Sequence, residues 1–365
     1  MDMVTLAEIA RDSKQGGICV VTGNAGFVGG HLTHALLESG YGVVGIDDLS
    51  SGNVKNVHRF QGNPQFRFVH GSVLDEDLMR RVFKRVSPLQ AVFHLAAIVS
   101  VPYSVSHAVE TNLVNFESTC LLLDLARRSG AARFVFAGSA AEYGAELRLP
   151  IQEQYASEVT RQLSPYGQSK FRASRLVSED PIGVALRIFN IYGPRQDPSS
   201  PYSGVISRFI SQALDGEPLT IFGDGSQSRD FIFIQDVVKA YFSAAGLMEM
   251  PALPAGIYNL GSGQSVSILD LARQVLNMVD NGHDALKSAV CINADSGASP
   301  YVQHCPSRPG DIEHSVADIR KIIDHGCWQV ETDLRTGLGR TIDWFRRSRA
   351  VNDPGGSARV ADTIR

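Results

Sequence analysis

Cysteine is scarce in this 365-residue chain, and the few present follow no metal-binding pattern. Cys19, Cys120, Cys291, Cys305 and Cys327 are an odd number without a CxxC pair, which argues against a zinc site and against a disulfide framework. Reduced thiols in a cytoplasmic protein are the expectation. No apolar run approaches the roughly 18 residues of a membrane span. Met1–Gln15 is polar and charged, without the apolar core of a signal peptide. The expectation is a soluble protein with no membrane partner. Positive charge is also in short supply: 34 Lys and Arg face 38 Asp and Glu, a net charge of −4. Nucleic-acid binders want a basic surface, so that class is set aside, and any anionic ligand must be held by local arginines. No internal repeat is present. Hydrophobic residues make up 44% of the chain, enough for one large core or two unequal ones.

What is present begins with a strand, a glycine-rich turn and a helix. Ile18-Cys19-Val20-Val21-Thr22-Gly23 is apolar and β-rich, Asn24-Ala25-Gly26-Phe27-Val28-Gly29 follows, and Leu32, Ala35, Leu36 and Leu37 then recur at helical spacing. Such a turn cradles phosphate: glycines admit the backbone to a pyrophosphate, and the helix start offers free N–H groups and partial positive charge. A second strand, Val43-Val44-Gly45-Ile46-Asp47-Asp48, places Asp47 18 residues after Gly29. An acid there accepts from both ribose hydroxyls of an adenosine, which favours NAD over NADP.

Tyr166 and Lys170 stand four apart in Ser164-Pro165-Tyr166-Gly167-Gln168-Ser169-Lys170, on one face of a helix. Lowering a tyrosine from about 10 to about 7 takes roughly 4 kcal/mol. An ammonium about 4 Å away supplies about that much at an effective dielectric of about 20. The pair therefore reads as a general base for neutral pH. Ser139 lies just past the strand Arg133-Phe134-Val135-Phe136-Ala137, at the carboxyl end where α/β sheets place ligands.

The glycines follow Gly-x-x-Gly-x-x-Gly rather than the shorter dinucleotide fingerprint. Joined to His94-Leu95-Ala96-Ala97, Asn112, Gly138-Ser139, the Tyr-Lys pair, the segment from Arg187 to Arg195, the segment from Gly223 to Phe231, and Arg308-Pro309-Gly310-Asp311, this pattern resembles the extended short-chain dehydrogenase/reductase family. Within it the chain resembles the nucleotide-sugar 4-epimerases, over roughly Gly17 to Phe345. The resemblance implies NAD as cofactor, held by Gly23, Gly26, Phe27, Val28, Gly29, Asp47, Ser72, Val73, Leu95, Ala96, Ala97 and Asn112, with Tyr166 and Lys170 at the nicotinamide ribose. It implies catalysis by Tyr166, Lys170 and Ser139 and no metal. A nucleotide-sugar substrate would meet Ser139, Ala140, Asn190, Arg195, Arg229, Arg308, Asp311 and Ser315. The arginine fork suits a diphosphate. One departure stands out: the family has Gly-Asp after the third strand where this chain has Gly71-Ser72-Val73.

Strand-like runs at 18–23, 43–47, 66–69, 91–95, 133–137 and 183–189 alternate with helical patterns at 27–39, 75–86, 107–129 and 166–179. This predicts an α/β protein: a Rossmann-type, doubly wound parallel sheet with a smaller C-terminal α/β substrate lobe. The expected organisation is a NAD-binding domain over 16–190, with 229–260 returning to it, an interleaved substrate lobe over 191–345, and a flexible tail over 346–365. Helices 107–129 and 166–179 would pair with their copies in a homodimer, by the same resemblance.

Which reaction follows depends on the turn after Ser139. Sugar 4,6-dehydratases of the family carry an Asp-Glu pair where this chain has Ala140 and Ala141, and the related decarboxylases want an acid at the Ala141 position. Glu142 comes one residue late, which on extended chain turns its side chain to the other face; a bulged loop would bring it back. With neither acid in place, a 4-keto sugar should take its hydride back on the opposite face. The expectation is NAD-dependent 4-epimerisation of a UDP-hexose. The small Ser315, seven residues past Arg308 at the family's gatekeeper position beside the C2 substituent, favours UDP-N-acetylglucosamine/UDP-N-acetylgalactosamine, with UDP-glucose/UDP-galactose also admitted. Alternatives are a dehydratase or ketoreductase on the same 4-keto chemistry, and a non-catalytic NAD-binding regulator.

Overall fold

Seven parallel strands form the centre of the first of two compact units. The structure, a computed structural model, describes residues 17–198, 204–280, 301–307 and 312–352. In chain order the elements are β1 (Ile18–Thr22), α1 (Phe27–Glu38), β2 (Gly42–Asp47), α2 (Val54–His58), β3 (Phe66–His70), α3 (Glu76–Arg85), β4 (Ala91–His94), α4 (Val101–Ser106), α5 (Ala108–Asn112), a π-turn (Leu113–Glu117), α6 (Ser118–Arg128), β5 (Arg133–Ser139), a 3-10 turn (Ala140–Tyr143), α7 (Pro165–Ser178) and β6 (Gly183–Ile188). Then come β7 (Asn190–Tyr192), α8 (Val205–Leu214), β8 (Leu219–Phe222), β9 (Ser228–Phe233), α9 (Ile234–Ala245), β10 (Gly256–Leu260), β11 (Ser265–Ser267), α10 (Ile268–Val279), β12 (Val302–Cys305), α11 (Arg320–His325) and α12 (Leu334–Asn352).

The large sheet runs β10-β6-β5-β4-β1-β2-β3, every pair parallel. A parallel sheet covered on both faces demands strands that are apolar throughout, and β1 and β2 are buried at every position. Val20, Val44, Val92 and Phe134 meet in its interior, each contributing about 1.5–3 kcal/mol by leaving water. Among the covering helices, α3 is strongly amphipathic and capped. In α3 the Asp75 carboxylate accepts from the Leu78 N–H, Glu76 and Asp77 open the first turn, and Lys84 and Arg85 close the last. Its Met79, Val82 and Phe83, at helical spacing, are the residues that are buried. Strand order reverses beside β1, which lies between β2 and β4; there the carboxyl ends of β1 and β4 open a crevice.

The first unit comprises the described residues of Met1–Phe189, Ile234–Gly263 and Val316–Val330; the second comprises those of Asn190–Phe233, Gln264–Ser315 and Glu331–Arg365. This differs from the sequence expectation in three places. Residues 229–233 do not return to the large sheet: they are β9, which pairs with β7 and β11 in the second unit. The return starts at Ile234. Residues 316–330, expected in the substrate lobe, belong to the first unit, where Ala317 packs with Ile151 and Phe189 and the Trp328 indole N–H donates to the Asp236 carbonyl. The expected tail from 346 begins as helix, because α12 continues to Asn352. Its Arg349 fork holds Asp215 at 2.6 and 2.9 Å. Within the second unit, β8 pairs with β12 and α8 packs with α10 and α12. Among the described residues no helix is long and apolar enough to cross a membrane.

Candidate active site

β5 ends at Ser139, and the chain turns at once into the 3-10 turn. The turn is closed by a capping box: the Ser139 hydroxyl accepts from the Ala141 N–H at 3.2 Å, and the Glu142 carboxylate accepts from the Ser139 N–H at 2.8 Å. Glu142 therefore does not reach out of the loop. It is wholly buried and its other oxygen takes the Arg187 Nε–H at 2.5 Å. The chain here is neither extended nor bulged but a 3-10 turn, and the carboxylate is held inside it. Ala140 stays at the turn, half-buried.

α7 brings the other two groups. Ser164 caps it by accepting from the Gly167 N–H at 3.1 Å, and Pro165 fills its first position. Gly167 lets the helix lie on the Ser139 turn; a Cβ there would stand 2.7 Å from the Ala141 carbonyl oxygen. Tyr166 and Lys170 are both buried on this inner face, and the Ser139 hydroxyl is a hydrogen-bond partner of the phenol. Ser139, Tyr166 and Lys170 thus come together.

Their electrostatics differ from the simple expectation. The Lys170 Nζ donates to the Ala137 carbonyl at 2.9 Å and lies 4.6 Å from the Phe136 ring centre. Burial pushes its pKa down to about 8, against the Glu142 charge. Burial pushes the Tyr166 phenol up to about 12, with the Ser139 hydrogen bond opposing. The ammonium does not lower the phenol in this arrangement, because it is turned to the end of β5. Desolvation outweighs the pairing that helical spacing suggests.

The glycine turn occupies the crevice. A Cβ on Gly29 would lie 2.1 Å from the Gly23 carbonyl oxygen, and one on Gly23 would lie 2.7 Å from the Ala96 nitrogen. Gly23 itself has φ 70°, which favours glycine. Behind the turn, α1 begins at Phe27 with no side-chain cap and no acid in its first turn, so the N–H groups of Phe27, Val28 and Gly29 face an open end. Asp47 ends β2 with one oxygen on the Ala25 N–H and the other on the Leu49 N–H, both at 2.9 Å. Burial pushes its carboxyl up and those two bonds oppose. The donor set and the clearance fit a dinucleotide pyrophosphate and an adenosine ribose. Ser72 follows β3, and Val73 is buried in the core beneath it. Leu95 and Ala96 donate N–H groups to the Thr22 hydroxyl, each at 3.2 Å, and Ala97 continues that strip.

One expected residue is not brought to the site. Asn112 faces Arg172, whose Nη1 donates to it at 2.8 Å, and Glu117. Asn115, in the π-turn, points inward instead. Its amide accepts from the Ile98 N–H at 2.8 Å and donates to the Ile98 carbonyl at 3.0 Å and to Ser169 Oγ at 3.1 Å. Thr119 donates to the Asn115 carbonyl, so His94 Nε2 donates to Thr119 and His94 Nδ1 accepts from Thr22. Burial holds that imidazole neutral, its pKa down at about 3.

The remaining expected residues lie in the second unit or outside the described residues. Asn190 and Arg195 are exposed, the latter with φ 71°. Arg229 donates to the Ser228 carbonyl at 2.9 Å. Ser228 also holds the segment carrying Ser315: its N–H donates to the Glu313 carbonyl at 2.9 Å and its carbonyl accepts from the Ser315 N–H at 3.1 Å. Ser315 is buried. Arg308 and Asp311 lie outside the described residues.

A family model described as the NAD dependent epimerase/dehydratase family matches residues 19–261. The chain belongs to that family. A UDP-glucose 4-epimerase from Mycolicibacterium smegmatis is 34% identical over 335 residues, covering 90% of this chain and 98% of the relative. A solved UDP-N-acetylglucosamine 4-epimerase from Methanobrevibacter ruminantium M1, in complex with UDP-N-acetylmuramic acid, superposes with a TM-score of 0.76 at 33% identity over 91% of this chain and 99% of that one. A UDP-glucuronic acid decarboxylase 2 from Arabidopsis thaliana is 31% identical over 360 residues, 96% of this chain and 73% of the relative.

This epimerase/dehydratase is accordingly an enzyme whose cofactor is NAD. Asn115, Ser104 and the pairing of Glu142 with Arg187 are supports of the site that the sequence reading did not give. Asn115 lies one turn past Asn112, the asparagine that the resemblance implied. Ser104 accepts from the Tyr166 N–H at 3.2 Å across 62 residues of chain. Glu142 and Arg187 form a pair buried under Ser139. Only Arg187 carries a signal, a charge inside an otherwise apolar strand.

Proposed function

We propose that the enzyme interconverts UDP-N-acetylglucosamine and UDP-N-acetylgalactosamine through a transient 4-keto sugar, retaining its NAD. The observation that carries this reading is the turn after β5. It has Ala140 and Ala141 where the dehydratases carry acids, and its own acid, Glu142, is buried against Arg187. Removing water across C5 and C6, or losing a carboxylate, calls for an acid or base near the 4-ketone that this turn does not supply. Return of the hydride is the reaction that remains.

Bound NAD supplies the hydride acceptor and, on return, the hydride donor. In the assigned roles, Ser139 orients the sugar O4 by a hydrogen bond and Tyr166 takes the O4 proton as the C4–H bond breaks. Tyr166 later gives that proton back to O4, at a C4 of inverted configuration. Lys170 is assigned to the nicotinamide ribose, which it would reach by leaving the Ala137 carbonyl. Phe27, Val28 and Gly29 hold the pyrophosphate by backbone N–H groups, and Asp47 holds the adenosine ribose. Asn190, Arg195 and Arg229 are assigned to the substrate diphosphate, where guanidinium and amide donors match phosphate oxygens. The small Ser315 leaves room for an N-acetyl group, and UDP-glucose is accepted as a second substrate.

A proton NMR time course with UDP-N-acetylglucosamine and no added cofactor tests the reading. New anomeric signals of UDP-N-acetylgalactosamine rising to a stable mixture support it. A C6 methyl doublet would mean dehydration, and an unchanged spectrum with both UDP-N-acetylglucosamine and UDP-glucose would sink it.

A further inference from the structure

We propose that Glu142 is a positioning residue, whose carboxylate holds the Ser139 backbone and so aims the Ser139 hydroxyl at the sugar O4. The proposal rests on the role given to Ser139 above. A serine hydroxyl at a strand end has three staggered rotamers open to it, and here two bonds remove that freedom. The Ser139 N–H is fixed by Glu142 Oε1 at 2.8 Å, and its Oγ accepts from the Ala141 N–H at 3.2 Å. The remaining hydroxyl proton is free to be directed toward Tyr166 or a substrate oxygen.

The carboxylate is itself held from every side. Oε1 also accepts from Ser174 Oγ at 2.8 Å, and Oε2 accepts from Arg187 Nε at 2.5 Å. Arg187 in turn donates to the Glu153 carbonyl at 2.8 Å and to the Tyr143 hydroxyl at 3.3 Å, and Tyr143 donates to Asn259 of β10. Gly138 completes the arrangement: a Cβ there would lie 2.8 Å from Glu142 Oε1. Strands β5, β6 and β10 and helix α7 therefore all bear on the carboxylate that grips Ser139. A buried ion pair is a poor way to gain stability, since apolar residues of like volume often serve as well. What such a replacement could not supply is the acceptor for the Ser139 N–H.

Two double variants separate gripping from charge balance. Glu142→Gln/Arg187→Met keeps a carbonyl oxygen for Ser139, whereas Glu142→Leu/Arg187→Met keeps the volume and removes the acceptor. Both are uncharged, so neither leaves a lone buried ion. The expected result is a kcat within about 3-fold of wild type for the first, and about 10–100-fold lower for the second, at unchanged KM and matched Tm. Equal kcat in the two folded variants would overturn the proposal. Glu142→Met/Arg187→Leu carries the second arm if the leucine variant does not fold. Wild type run alongside reports on the epimerase reading itself. If wild type turns over no UDP-sugar, amide hydrogen exchange at Ser139 decides: about 10-fold faster in the acceptor-less variant supports the grip, and no difference refutes it.

Discussion

Burial pushes Tyr166 and Lys170 toward their neutral forms, and that tension is the chemistry of the site. A phenol held at about 12 is a poor base until something cationic is brought to it. NAD, when bound, would supply a cationic nicotinamide, and base strength would then be coupled to cofactor occupancy. A Tyr166→Phe variant should keep its NAD, measured by absorbance after denaturation, and lose about 10²–10⁴ in kcat. Retained turnover would remove the assigned base. Lys170 makes a stability prediction of definite sign. Its folded pKa, about 8, lies below the ordinary 10.5, so burial costs stability in full below pH 8. Between pH 8 and 10.5 the folded state binds fewer protons than the unfolded chain, and stability rises with pH; above 10.5 the cost is gone. The difference is about 3 kcal/mol. Measured by thermal unfolding, the Tm advantage of Lys170→Met over wild type should shrink by about 5 °C between pH 7.5 and 10.5. A constant difference would contradict the depressed lysine.

At the scale of elements, the first unit was largely legible because its physics is local. Parallel strands buried on both faces read as unbroken apolar runs, as Ile18–Thr22 does. Ser164-Pro165 announces the start of α7, and the glycines of the cradle announce themselves by the contacts a side chain would make. Two placements depend on a local helix type that the sequence does not reveal. The π-turn at Leu113–Glu117 has i→i+5 bonding, which shifts the inward face and brings Asn115 rather than Asn112 to the interior. The 3-10 turn at Ala140–Tyr143 puts Glu142 under Ser139, where extended chain would not. Asn115→Ala strips the Ile98 backbone of both its bonds and should lower Tm and kcat together, at about 1–3 kcal/mol for each polar group left unpaired. Asn112→Ala should change kcat less than about 2-fold, since surface changes of that kind are small. Steady-state assays and thermal melts of the two variants check this, and equal losses would restore Asn112 to the site.

At the scale of the molecule, alternation of strand and helix foretold the doubly wound sheet, but not the path by which the chain leaves and re-enters it. The departure after Asn190 coincides in sequence with Gly193, Pro194 and Pro198. The return of 316–330 was not, because Ala317 and Trp328 are placed by contacts with Ile151 and Asp236, far away in sequence. We further propose a homodimer through the faces of α5, α6 and α7, motivated by the exposed Val105, Val109 and Leu113 beside that bundle. Sedimentation at micromolar concentration should give the mass of two chains, and a monomer throughout would refute it. The central claim is that one enzyme-held NAD takes a hydride from C4 and returns it to the same carbon. UDP-N-acetylglucosamine deuterated at C4, incubated without added cofactor, tests this most directly. The account predicts UDP-N-acetylgalactosamine with the deuterium still at C4. Deuterium lost to solvent, or found in a C6 methyl group, would contradict it.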